Sequence, residues 1–104
     1  MSGLLIQGGT LILPDRLVKG DLLIRKAKIA RMGNFSPPKG IQRVDAKGLY
    51  VSPGFIDTHV NGGGGRGFME NTDEAFEVAI RFHVQHGTTG LLPTAVASPL
   101  ELMR

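Results

Sequence analysis

With 104 residues the chain is one ordinary domain at most. An apolar fraction of 41% and a charged fraction of 20% exclude a disordered polar chain and fit a globular one. The net charge of +3 is scattered over Arg16, Lys19, Arg25, Lys26, Lys28, Arg31 and Lys39. It forms no basic stripe joined to aromatic or helical readers, so no nucleic-acid partner is expected. Cysteine is absent, which excludes a disulfide framework and thiolate metal ligation and agrees with a reducing compartment. The start at Met1-Ser2-Gly3-Leu4 lacks a basic region before an apolar core, and no apolar run approaches the ~20 residues that span a bilayer. A cytoplasmic location without a membrane partner follows as the expectation.

The first fifty residues predict short strands. Leu4–Gln7 and Thr10–Leu13 flank Gly8-Gly9, which carries a two-glycine hairpin signal. Pro14-Asp15 breaks the pattern. Asp21–Arg25 and Lys28–Met32 follow as a second pair turning at Lys26-Ala27, where glycine or asparagine would be usual. Two prolines and two glycines within Gly33–Gly40 deny regular pairing. Ile41–Asp45 and Leu49–Val51 then predict a third pair around Ala46-Lys47-Gly48. Short strands separated by turns point to a small β-sandwich over residues 1–52.

The texture changes at Ser52-Pro53-Gly54. Phe55–Asn61 predicts a strand running into Gly62-Gly63-Gly64-Gly65, and a helix follows with Asn71 as N-cap and Glu74 at the capping-box spacing. Glu77 and Arg81 stand four apart for a solvent-face pair. Phe76, Ala79 and Ile80, with Val78 and Phe82 beside them, form an apolar arc. Gly87 stops the helix, and Thr89–Thr94 predicts a second strand, apolar enough for burial on both faces. Ser98–Arg104 opens a further helix. Strand, helix and strand in this order predict a β/α unit with parallel strands.

Residues two apart on a strand share a face, so His59 and Asn61 are expected to point the same way, with Asp57 one layer deeper. Asp57 is read as tying down the strand end. The glycine run lacks the Lys-Ser/Thr ending of a P-loop and the G-x-G-x-x-G frame of a dinucleotide site, so it reads as a flexible loop. His83 and His86 lack the H-E-x-x-H arrangement and read as a helix-end pair meeting the dipole or the next strand.

Val51–Gly62 resembles the first-strand signature of the amidohydrolase superfamily, P-G-[FLM]-[IV]-D-x-H-x-H. Asp21–Arg25, Lys28–Gly33 and Val44–Gly48 resemble the β-sandwich segment that precedes that strand. The run His86-Gly-Thr-Thr-Gly-Leu-Leu-Pro-Thr94 resembles the N-acetylglucosamine-6-phosphate deacetylase family rather than dihydroorotases or cytosine deaminases. The resemblance implies a β-sandwich segment over 1–52 and the start of a (β/α)8 barrel, of the TIM type, over 53–104. It also implies hydrolysis of an N-acetyl amide to acetate and glucosamine 6-phosphate, with a small-molecule substrate and a homo-oligomeric full-length protein. A divalent metal, Zn or Fe with Mn and Co as further options, would activate the water. His59 is the expected metal ligand, and Asn61, Gly62 and Gly63 are expected to line the active site.

No catalytic residue is expected within the chain. The glutamate ligand, two histidine ligands and aspartate that the resemblance implies belong to later strands, whose matching segments are absent. Asn61 stands where the superfamily pattern has its second histidine, and Arg66-Gly67-Phe68 stands where a Val-Asp-Phe-like segment is usual. The 104-residue chain alone is therefore expected to be inactive and poorly soluble. Another amidohydrolase, of dihydroorotase or deaminase type, and a non-catalytic truncated protein are the other readings.

Overall fold

The computed structural model describes residues 3–103. Met1 and Ser2 at the start and Arg104 at the end of the expected last helix lie outside the described residues. The chain divides into two compact units, Met1–Pro53 and Gly54–Arg104. Among the described residues no helix is long and apolar enough to cross a membrane.

In the first unit β1 (Leu4–Ile12), β2 (Leu17–Arg25), β3 (Lys28–Gly33), β4 (Gln42–Asp45) and β5 (Tyr50–Val51) form one five-stranded sheet. The order is β3-β2-β1-β4, and β5 also pairs with β1. Two expectations are corrected here. Gly8-Gly9 is not a hairpin: β1 runs straight through it, and the chain reverses instead at Pro14-Asp15, between β1 and β2. The register passes from Ile6↔Leu22 to Gly9↔Gly20, one extra residue on β1, so the glycines form a bulge. Gly8 has φ 74 and donates its N–H to Asp21 Oδ1 at 2.8 Å. A Cβ on Gly9 would stand 2.6 Å from Val51 Cγ2, so the strand needs glycine there for close approach rather than for a turn.

The second correction concerns β4 and β5. They do not pair with each other but each lies parallel to β1, Leu4–Gln7 against Gln42–Asp45 and Thr10-Leu11 against Tyr50-Val51. The Ala46–Gly48 turn steps the chain along one edge of β1, with Ala46 N donating to Gln7 O. The described residues of this unit form a single sheet, consistent with a β-rich N-terminal segment. The second hairpin falls where expected, and Lys26 and Ala27 both take positive φ (50 and 56), the turn geometry that matches strand twist.

The bulge decides where the core sits. Before it, Leu5 pairs with Leu23, and these two pack with Ile41 and Phe35. The extra residue reverses the alternation, so Leu11 joins Leu22, Ile29 and Met32 along an apolar groove of about 140 Å³ on the other face.

In the second unit β6 (Phe55–Val60) and β9 (Thr88–Pro93) pair in parallel around helix α1 (Asp73–Val84), as the strand–helix–strand reading predicts. Between β6 and α1 stand β7 (Gly62–Gly63), β8 (Arg66–Gly67) and a single turn of 3-10 helix at Phe68–Glu70. Thr72, not Asn71, caps α1: its hydroxyl accepts from Ala75 N at 3.2 Å. Asn71 instead takes the left-handed conformation (φ 51) that ends the 3-10 turn, a geometry asparagine tolerates. The Glu77–Arg81 pair forms at 2.6 Å on the solvent face.

The apolar arc of α1 is narrower than its sequence pattern. Ala75 and Ala79 are buried and Phe76 packs beside them, whereas Ile80 and Phe82 are exposed. Likewise β9 is not buried on both faces, for Leu91 joins the core while Leu92 is 59% exposed. A two-stranded sheet with one helix leaves apolar side chains such as Ile80, Phe82 and Leu92 exposed. The expected helix after Ser98 is a single 3-10 turn, Leu100–Leu102.

Candidate active site

Burial in the second unit is concentrated at one end. Val60 and Phe68 are buried against Ala79, with Phe76 and Leu91 packed on them and the Phe68 and Phe76 rings 4.9 Å apart. This cluster anchors the C-terminal ends of the parallel strands, the end where such sheets place their ligands. The opposite end of β6 is bare: Phe55 is 62% and Ile56 76% exposed.

Thr94, just beyond β9, joins the two strand ends. Its N–H donates to Val60 O at 2.7 Å, and its hydroxyl accepts from Val60 N at 3.3 Å and donates to Leu92 O at 3.1 Å. Its carbonyl accepts the Asn61 side-chain amide at 3.2 Å. At this C-terminal end Asn61 is exposed and Thr94 half-buried, and the Asn61 amide oxygen is of acceptor type. Reading the residues alone missed Thr94 as an organising group. Its signal was its place as the last residue of the His86–Thr94 run.

The pairing of β6 with β9 passes from Asp57↔Leu91 to Val60↔Pro93, one extra residue on β6. Strict alternation therefore fails between Asp57 and Val60, and Asp57 is not simply a deeper layer beneath His59 and Asn61. Asp57 Oδ1 accepts the His59 backbone N–H at 3.0 Å, a local turn that ties the strand end. His59 itself is exposed.

The glycine run is ordered as a β-ribbon. Gly62 and Gly63 pair antiparallel with Gly67 and Arg66, and Gly64-Gly65 turn the ribbon with φ of 60 and 82. Asn61 O accepts Phe68 N at 3.0 Å at the ribbon's base. Arg66 is bound by acids, its Nε to Glu70 Oε1 at 2.9 Å and its Nη1 to Glu74 Oε1 at 3.3 Å. The hydrogen bond from Arg66, reinforced by the charges of both glutamates, raises the Arg66 pKa; Glu70 is lowered, first by the Gly67 N–H at 2.7 Å and then by Arg66. Arg66 is thus committed to carboxylates rather than held out for an anion.

The two helix-end histidines part company. His86 Nδ1 lies 2.7 Å from Phe82 O, the helix-end contact expected of it. His83 turns instead to the ribbon, with Nε2 at 2.8 Å from Gly62 O. The sequence offers no signal for that contact across twenty-one positions.

A divalent metal at His59 needs further donors gathered around it. Among the described residues no three His, Asp or Glu side chains gather where they could hold an ion. A catalytic zinc takes three protein ligands. His59 offers one imidazole, and one Asp57 carboxylate oxygen is already engaged by backbone. These residues do not by themselves fit a metal site.

No family model matches the chain. Over 94% of its length it is 31% identical to the N-acetylglucosamine-6-phosphate deacetylase of Homo sapiens, covering 24% of that protein. It is 35% identical over 85% of its length to D-phenylhydantoinase of Escherichia coli (strain SE11), covering 19% of it. Among solved structures, N-acetylglucosamine-6-phosphate deacetylase from Pasteurella multocida matches with a TM-score of 0.87 at 28% identity, over 98% of this chain and 28% of that one. A mutant of the Mycobacterium smegmatis enzyme in complex with N-acetyl-D-glucosamine-6-phosphate matches with a TM-score of 0.84 at 31% identity, over 99% of this chain and 27% of that one. The chain spans about a quarter of the length of the deacetylases it matches.

These likenesses are to amidohydrolases, enzymes that cleave amide bonds. Among these, sequence and structure together resemble N-acetylglucosamine-6-phosphate deacetylase, in agreement with the resemblance carried by Pro53–Asn61 and His86–Thr94.

Proposed function

We propose that this chain forms one wall of the active site of an N-acetylglucosamine-6-phosphate deacetylase, which hydrolyses the N-acetyl amide to acetate and glucosamine 6-phosphate. The observation that carries the reading is the stitched end of the parallel pair. Asn61 and Thr94 stand together beyond β6 and β9, within a likeness to deacetylases that extends over nearly the whole chain. The second unit is then the first β/α unit and second strand of a (β/α)8 barrel, an architecture of ~250 residues. The first unit belongs to a β-sandwich segment, with the division between residues 52 and 53.

Asn61, Gly62 and Gly63 line the substrate. Asn61 Oδ1 accepts a hydrogen bond from the sugar phosphate, and its amide, held by Thr94 O, fixes the orientation of that acceptor. The ribbon excludes water from the same edge. His59 stands nearby as a single metal-ligating group of an incomplete set, and a divalent metal requires donors beyond those of this chain. The full-length protein is read as a cytoplasmic homo-oligomer.

A second reading has its own support, since the hydantoinase relative is 35% identical. It makes the substrate a cyclic amide. The two separate by assaying the protein as its source cell makes it, with N-acetylglucosamine 6-phosphate and with a hydantoin. Acetate and primary amine appearing in equal amounts from the first substrate are the expected result. Ring opening of the hydantoin alone would replace the deacetylase reading, and hydrolysis of neither would leave a non-catalytic protein.

A further inference from the structure

His83 carries a role beyond that of a helix-end histidine. A carbonyl oxygen only accepts, so at 2.8 Å from Gly62 O the His83 Nε2 carries its proton and donates it. The imidazole also sits close over the ribbon. A Cβ on Gly63 would stand 2.8 Å from His83 Nε2 and 3.1 Å from Phe82 Cδ1, so the absence of a side chain at 63 is what lets the ring approach. Phe82 braces the ring edge-on, with centroids 5.5 Å apart and planes at 86°. Gly62 directly follows Asn61, whose own carbonyl is bound at the ribbon base by Phe68 N. One donor from the last turn of α1 thus fixes the backbone beside the proposed substrate-binding asparagine.

We propose that His83 is a positioning residue for the active-site edge: by donating Nε2–H to Gly62 O it holds the glycine ribbon, and with it Asn61, in the orientation that meets substrate. This rests on the deacetylase reading above and assigns His83 no contact with the reacting atoms. The second strand of the ribbon is held by the Arg66–Glu70–Glu74 ion pairs, so loss of His83 loosens the Gly62 strand, next to Asn61, selectively.

The test compares His83→Ala, His83→Phe and His83→Gln in the protein as its source cell makes it. Removal of one hydrogen bond that orders the site is expected to raise KM for N-acetylglucosamine 6-phosphate about tenfold in His83→Ala and His83→Phe. The value of kcat changes less, and His83→Gln, which keeps an N–H donor, restores KM. Melting temperatures separate this from a general loss of structure, because His83→Phe preserves the packing against Phe82 and Gly63. In the wild-type chain, long-range proton–nitrogen NMR is expected to show the Nε2–H form of His83. Wild-type KM in both His83→Ala and His83→Phe, or KM rising equally in all three variants, overturns the proposal. A wild-type protein that releases no acetate overturns the deacetylase reading instead. In that event the positioning claim is judged by amide exchange at Gly67 and Phe68, where faster exchange in His83→Phe but not His83→Gln supports it and equal exchange refutes it.

Discussion

The two units bury similar residue types in opposite ways. In the first, the core of Leu5, Leu23 and Ile41 lies under the middle of a broad sheet. In the second, Val60, Phe68 and Ala79 hold only the C-terminal end of a strand pair, and Phe55 and Ile56 at the other end are open. The difference shows what each core does. One stabilises a platform; the other rigidifies the single edge where Asn61, Thr94 and the glycine ribbon meet, so that packing strength falls where positional accuracy matters.

The contrast breaks most clearly at the cores. Phe68→Ala removes the ring between Val60 and Phe76 and is expected to cost about 3–4 kcal/mol, lost as a lower denaturation midpoint and as faster amide exchange at Asn61 through Gly67. Leu5→Ala is expected to cost about 3 kcal/mol, with exchange rising in β1 and β2 and unchanged in the ribbon. Equal loosening of the ribbon by both changes would erase the distinction between platform and edge.

A smaller effect tests the cap assignment. Thr72→Ala is expected to cost about 1 kcal/mol by leaving the Ala75 N–H without its acceptor, read as helix loss by circular dichroism on heating. An unchanged helix melt in Thr72→Ala would remove the cap assignment.

The smallest effect is a pH dependence. The folded Glu70 carboxyl has a lowered pKa because Gly67 N–H and Arg66 stabilise its charged form. Its contribution is therefore complete above the ordinary carboxyl value near 4.5 and is lost as pH falls through the lower folded value. Exchange at Gly67 should quicken over that acidic range in the wild type and be already fast, and flat with pH, in Glu70→Gln. The group is exposed, so the change is confined to the ribbon and leaves the overall melting temperature nearly unmoved.

Much of the architecture is legible in the residues. Parallel β6 and β9 around α1, the Lys26-Ala27 turn and the Glu77–Arg81 pair all follow from local periodicity and spacing. The Gly8-Gly9 bulge does not, because a two-glycine step suits both a tight turn and a close backbone approach. Only Asp21, Ala46 and Val51, brought beside it by the sheet, select the second. The parallel placement of β4 and β5 on β1 is equally non-local.

At the site the division is sharper. The Pro53–Asn61 signature by itself determined the amidohydrolase resemblance, because strand, turn and ligand-type residues at fixed spacing are a local pattern that survives without its surroundings. It also marked His59, Asn61 and the glycine run as one stretch of chain. Only the tertiary structure decided that an extra residue in β6 breaks the alternation there, that Arg66 is taken by Glu70 and Glu74, and that Thr94 and His83 reach this stretch from thirty-three and twenty-one positions away. Those partners are chosen by which strand ends and helix turns pack together, and no spacing along the chain encodes that choice.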